Sequence, residues 1–139
     1  MPVQVTINYL AVLVAAVASM VVGFLWYGPL FGKQWVKLMK IDDKKIKEAK
    51  QKGMGKTYFL AFLTTLVMSY VLAHFVDYVE AKTIADGVIL GFWIWIGFLA
   101  TTQIGSVFWE GKPVKLYLIN TLHYLVALAV MAAILAVWV

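Results

Sequence analysis

The sequence contains no cysteine and no arginine. Without cysteine there is no disulfide, no thiolate metal site and no thiol nucleophile. Without arginine every fixed cation is a lysine, which attracts phosphate as a point charge but offers no bidentate fork. Charge of either sign is scarce, at 14% of residues, and residues 3 to 30 contain no charged side chain. The familiar enzyme patterns are missing as well. There is no His-x-x-x-His, no pair of carboxylates within an apolar run and no Gly-x-Ser-x-Gly, and the glycines fit neither phosphate-loop pattern. His74 and His123 fall at very different depths of their helices, which argues against a shared metal. No catalytic set, cofactor or metal is therefore expected. An enzyme acting on lipid headgroups through Glu110 and Tyr27 would lack a nucleophile-and-base pair.

What fills the chain instead is apolar surface: 63% of the 139 residues are hydrophobic, and the mean hydropathy is +0.86. Soluble domains are about 45–50% apolar. A soluble fold of this size has no interior for the excess, whereas a membrane protein covers it with lipid. The N-terminal run is longer than a signal core and is not preceded by a charged leader, so it is expected to be a retained helix.

Nine of the twelve lysines lie between Lys33 and Lys56. A lysine at the bilayer centre costs roughly 2.5–3.5 kcal/mol, so this stretch must stay in water and its flanks must supply the spans. The reading is all-α: one polytopic domain, 1–139, with four transmembrane helices at about 3–28, 57–79, 87–109 and 115–139 in an antiparallel bundle. A short basic amphipathic helical segment, 33–56, separates helices one and two. At its start Phe31, just before it, and Trp35, Leu38 and Met39 fall at helical spacing, and Asp42 and Gly53 mark the ends of a second short helix. Gly28-Pro29 should break helix one. The short connection from Glu80 to Asp86 should make helices two and three neighbours. One side of the membrane would hold eleven lysines against four acids, the other one lysine against three. The positive-inside bias then puts the basic segment in the cytoplasm and both termini outside. Lys37, Lys40, Lys44, Lys45, Lys47, Lys50 and Lys52 would face anionic lipid headgroups; a nucleic-acid partner is not expected.

Three runs of small residues invite close helix approach. Ala11, Ala15, Ser19 and Gly23 line one face of helix one; Gly87 and Gly91 open helix three; Ala129, Ala132 and Ala136 line helix four. Such faces suit a homo-oligomer. Trp95, deep in a span, needs a partner for its N–H and should face protein. A faint echo between Gly23–Pro29 and Ser106–Pro113 reads either as a duplicated hairpin or as the ordinary gathering of Trp, Gly, Pro and Lys at a membrane boundary.

The polar residues inside the spans gather in the half nearest the lysines. Gln103 and His123 lie somewhat inside the midplane, Asn120 and Ser106 one turn further in, and Trp26 and Tyr27 at the inner rim; as one hydrogen-bonded cluster they form a candidate polar cavity. The alternative is that they only cross-link the helices, as interhelical hydrogen bonds commonly do. In the other half, Asn8 and His74 share a depth.

The segment Trp26-Tyr27-x-Pro29-Leu-x-x-Gly32-Lys33-x-Trp35, with Asn8-Tyr-Leu-Ala before it and Phe108-x-Glu110-Gly111-x-Pro113-x-Lys115 later, resembles the bacterial membrane family called domain of unknown function 1761. The similarity covers nearly the whole chain. It implies a small four-helix inner-membrane protein without an established activity. It would implicate Trp26, Tyr27, Pro29, Gly32, Lys33, Trp35, Glu110 and Gly111, all at the lysine-rich boundary, where Lys33 and Glu110 could pair. Two functions follow: a self-associating bundle that binds or conducts a small solute or lipid, or an accessory subunit that docks a partner or anionic lipid through its lysines.

Overall fold

A computed structural model describes residues 5–138, apart from the side chains of Ala49, Lys50 and Lys52. The expected helix start near residue 3 and the surface roles of Lys50 and Lys52 fall outside it. Helix α1 (Tyr9–Leu25) begins at Asn8, whose Oδ1 accepts the Ala11 N–H at 3.1 Å. Asn8 therefore caps the helix instead of lying within it, because its short acceptor side chain satisfies a first-turn donor.

Gly28-Pro29 does not end the span. The chain runs on as a π-helical turn, Trp26–Leu30, in which the Phe31 N–H donates to the Trp26 carbonyl at 2.8 Å. Pro29 has no N–H to give, and the wider turn passes that gap without unwinding. Two short helices follow, α2 (Gly32–Leu38) and α3 (Asp43–Lys52). Asp42 caps α3 by accepting the Lys45 N–H at 2.8 Å, and Gly53, at φ +81°, stops it in a conformation that glycine adopts without cost.

Helix α4 is Gly55–Tyr78, and α5 is Ile84–Ile94. The third span then continues through a π-helical segment, Trp95–Ala100, and two short pieces, α6 (Thr101–Gln103) and α7 (Gly105–Phe108). Helix α8 is Val114–Val137. Four helices, Tyr9–Leu30, Gly55–Tyr78, Ile84–Phe108 and Val114–Val137, are 22 to 25 residues long with mean hydropathies of 1.8 to 2.3. About 20 apolar residues cross a bilayer. The protein is an all-α membrane protein with four transmembrane helices, and no strand occurs among the described residues.

The third span starts earlier than the sequence suggests. Thr83 and Asp86 form a capping box, in which Thr83 Oγ1 accepts the Asp86 N–H at 3.0 Å and Asp86 Oδ2 accepts the Thr83 N–H at 3.4 Å. Asp86 thus belongs to the first helical turn, not to the loop.

Side-chain pairing fixes the directions. Ser69 donates to the Val12 carbonyl at 2.9 Å while Phe24 meets Tyr58 at 5.4 Å, so α1 and α4 run antiparallel. Trp26 bonds to Ile119 whereas Ala11 and Ala136 share the far end, so α1 and α8 do too. Gly87 faces Ala132 and Gly91 faces Leu128–Ala129, so α5 and α8 do as well. Helices α4 and α5 do not pack along each other, contrary to what their short connection implies. Helix α8 takes the centre, with α1 and α4 against it on one side and α5 on the other. The reason lies in α5: a Cβ at Gly87 would sit 2.5 Å from the Ala132 carbonyl oxygen, so the two backbones touch there, and α5 is committed to α8.

The core is built from α1, α4 and α8, around Ala11, Ala15, Leu72, Leu128 and Met131. Ala11, Ala15 and Ser19 are buried within this bundle, as are Ala132 and Ala136. The small-residue faces of helices one and four are consumed inside a single chain. The echo between the two boundary segments does not extend to packing, since Trp26 is half-buried and Trp109 is 89% exposed.

Candidate functional site at the lysine-rich end

Helix α8 between Tyr117 and Tyr124 receives ties from both π-helical segments. Trp26 Nε1–H donates to the Ile119 carbonyl at 2.8 Å, and Tyr27 O–H donates to Asn120 Oδ1 at 2.9 Å. Trp95 Nε1–H donates to the Thr121 carbonyl at 2.7 Å and to Thr121 Oγ1 at 3.1 Å, which meets its expected need for a protein partner. In the other direction, Tyr117 O–H donates to the Ala100 carbonyl at 2.7 Å. Thr101 and Thr102 turn their hydroxyls back onto the Gly97 and Phe98 carbonyls at 2.8 and 2.6 Å. The carbonyls of a π segment are thus covered by hydroxyls, as backbone at membrane depth requires. It also means that Thr101 and Thr102 are already satisfied.

These ties leave two concavities. One, of about 670 Å³, lies between α8, Tyr27 and the α6–α7 end of the third span; Gln103, Ser106, Glu110 and Asn120 line it. The other, of about 630 Å³, lies between α1, α4 and α8; Ser19, Gly23, Tyr58, Thr65, Met68 and His123 line it. Tyr27 and Tyr124 border both and form the wall between them. His123 is packed among aromatic rings, 5.1 Å from Tyr27, 4.9 Å from Tyr124 and 6.3 Å from Trp26 between centroids. Both of its ring nitrogens are buried without a hydrogen-bond partner, and so is Gln103 Oε1. An unpaired buried polar group costs about 1–3 kcal/mol. Three such atoms beside two cavities mark the place where this protein leaves hydrogen bonding unfinished.

Of the six residues expected to share a polar cavity, the structure brings Gln103, Ser106, Asn120 and Tyr27 to one chamber. It places His123 across the tyrosine wall in the other. Trp26 lines neither chamber and serves as an anchor. They do not form one hydrogen-bonded cluster. Depth along the helices was readable, but the side of α8 on which each residue lies depends on packing. Tyr117 and Tyr124 join the site without having been expected there from the sequence. Their signal is present: Tyr117, Asn120 and Tyr124 recur at helical spacing on one face of α8.

At the boundary, Gly32 lets α2 fold tightly onto the π turn, since a Cβ there would lie 2.5 Å from the Tyr27 carbonyl oxygen. Trp35 on α2 meets the Tyr27 ring at 5.6 Å, and Pro29 shapes the turn itself. Gly111, at φ +66°, turns the chain after Glu110. Lys33 and Glu110 are both exposed and form no ion pair with each other; water solvates each as well as the partner would. Lys37, Lys40, Lys44, Lys45 and Lys47 are exposed, and no α3 side chain that is described is buried. At the opposite end, His74 Nδ1 meets the Tyr70 carbonyl at 2.9 Å, within its own helix and not through Asn8. Among the described residues, no three His, Asp or Glu side chains gather as a metal site would need.

Residues 10–136 match the model of a family described as Protein of unknown function (DUF1761). No curated protein and no solved structure matches the chain.

Proposed function

The chain belongs to the DUF1761 family of proteins of unknown function, and from its geometry we propose that it is a non-enzymatic membrane protein that binds a small solute or a lipid at the lysine-rich end of its bundle. The observation that carries this reading is the set of unpartnered atoms, Gln103 Oε1 and the two His123 nitrogens, beside chambers of about 670 and 630 Å³. Binding pockets commonly hold about 300–1,000 Å³ and a few convergent polar groups. The bundle axis is filled by Leu128 and Met131, so conduction would need more than one chain. A homo-oligomer would have to use another surface than the small-residue faces, which are occupied within the chain. In this reading the protein sits in the bacterial inner membrane, with its lysines in the cytoplasm and both termini outside. Gln103→Leu and His123→Leu variants test it. Both should lose bound lipid or solute flux; if both retain these, the chambers are mere packing gaps.

A second reading has its own support in the exposed lysines of α2 and α3. There the segment docks an anionic lipid surface or an acidic partner. Replacing Lys44, Lys45 and Lys47 by Gln should weaken binding to anionic liposomes, and added salt should do the same to the unmodified protein, since each lysine contributes up to ~1 kcal/mol. Binding that ignores both changes would count against it.

A further inference from the structure

We infer that the chamber lined by Gln103 and Glu110 takes an organic ammonium group, primary or quaternary. This names the ligand class of the binding reading above and rests on it. The first observation is charge. This end of the protein carries eleven of the twelve lysines, yet the chamber lining contains one carboxylate, Glu110, and no lysine. An anion drawn in by the lysines would be repelled by that carboxylate, whereas a cation would be attracted to it.

The second observation is the walls. Tyr27, Trp109, Tyr117 and Tyr124 all line the chamber. Aromatic faces attract ammonium through their quadrupole. The hydroxyls of Tyr27 and Tyr117 are committed to Asn120 Oδ1 and the Ala100 carbonyl, which holds those rings in place. Trp109 is 89% exposed, so its indole is free to lie across a ligand at the mouth. The third observation is Gln103, which lines the chamber. Its Oε1 is a buried acceptor without a donor; turned toward the chamber, it would accept an ammonium N–H or the polarised C–H of a quaternary one.

The chain that follows Glu110 adds a complementary feature. Lys112 and Lys115 follow Glu110 in the chain and are exposed. A phosphate ester joined to the ammonium by a short linker would find its counter-charge there. The ammonium could come from a zwitterionic phospholipid headgroup or from a free amine.

The test uses the whole protein, purified in detergent. Native mass spectrometry compares retention of phosphatidylethanolamine with that of phosphatidylglycerol carrying the same acyl chains. Tryptophan fluorescence compares choline with dimethylbutanol, its uncharged carbon isostere. Glu110→Gln and Trp109→Leu change exposed side chains and leave the fold intact. The ammonium ligand should be favoured by about tenfold over its uncharged or anionic counterpart, and each variant should lose about that factor. Preference confined to the lipid pair identifies a headgroup; preference that extends to choline admits free amines. Should dimethylbutanol bind as well as choline, with Glu110→Gln without effect, the chamber binds ligands but the ammonium assignment is wrong. Should no probe bind, and Gln103→Leu merely stabilise the protein, the binding reading fails with it.

Discussion

Two glycines on the third span show how much one missing Cβ decides. At Gly87 a Cβ would lie 2.5 Å from the Ala132 carbonyl oxygen, against backbone that cannot step aside, whereas at Gly97 nothing lies within 4 Å. Gly87→Ala should therefore destabilise the protein by about 1–3 kcal/mol, and Gly97→Ala should stay within about 0.5 kcal/mol. Thermal unfolding in one detergent separates them; equal midpoints would remove the close approach of α5 to α8. The indoles come next. Trp95→Phe removes a donor shared by two acceptors on Thr121, and Trp26→Phe removes a single bond to Ile119. Interhelical bonds average about 0.6 kcal/mol and reach about 1.7, so the Trp95 change should be the costlier. At this scale the sequence was legible where a residue has only one way to be satisfied. An indole deep in a span needs an acceptor, and Asp42 before a lysine-rich helix caps it. The cap was missed for Asn8, a favoured N-cap residue that lies inside a long uncharged run and so reads as part of the span.

Whole helices were legible by their apolar length, and their ends less so. The Thr83-x-x-Asp86 pattern is a capping signature, but a cluster of acids between two spans reads first as loop. Thr83→Ala should cost about 1 kcal/mol, measured as the loss in unfolding free energy; no loss would mean that the box is not formed. The two π-helical segments were not legible at all, because Pro29 is as consistent with a broken helix as with a widened one. What selects the wider turn is the Trp26 and Tyr27 bonding to α8, a tertiary fact. Nor did chain order reveal that α8 separates α4 from α5. Spin labels on Val71 of α4 and Ile89 of α5, both exposed and at similar depth, should report helix axes beyond about 12 Å apart. Directly packed helices lie about 8–10 Å apart. A distance in that shorter range would restore the simple hairpin.

For the molecule as a whole, one asymmetry organises everything else. Four apolar helices demand hydrocarbon, and eleven lysines gathered at one end refuse it. The chambers, the unpartnered Gln103 and His123, and the first π turn all lie toward that end. Whatever binds there would meet the protein from the lysine side of the bilayer. The gathering of the lysines at one end was readable from the sequence alone, whereas the division of the polar cluster into two chambers required the packing around Tyr27 and Tyr124. Because the chain has no native cysteine, single cysteines report on sidedness without background. The decisive measurement is labelling of Lys47→Cys and Lys82→Cys variants in intact bacterial cells with a membrane-impermeant maleimide. Lys82→Cys should react from outside, and Lys47→Cys should react only after the membrane is permeabilised. Reaction of Lys47→Cys in intact cells, with Lys82→Cys protected, would contradict the account.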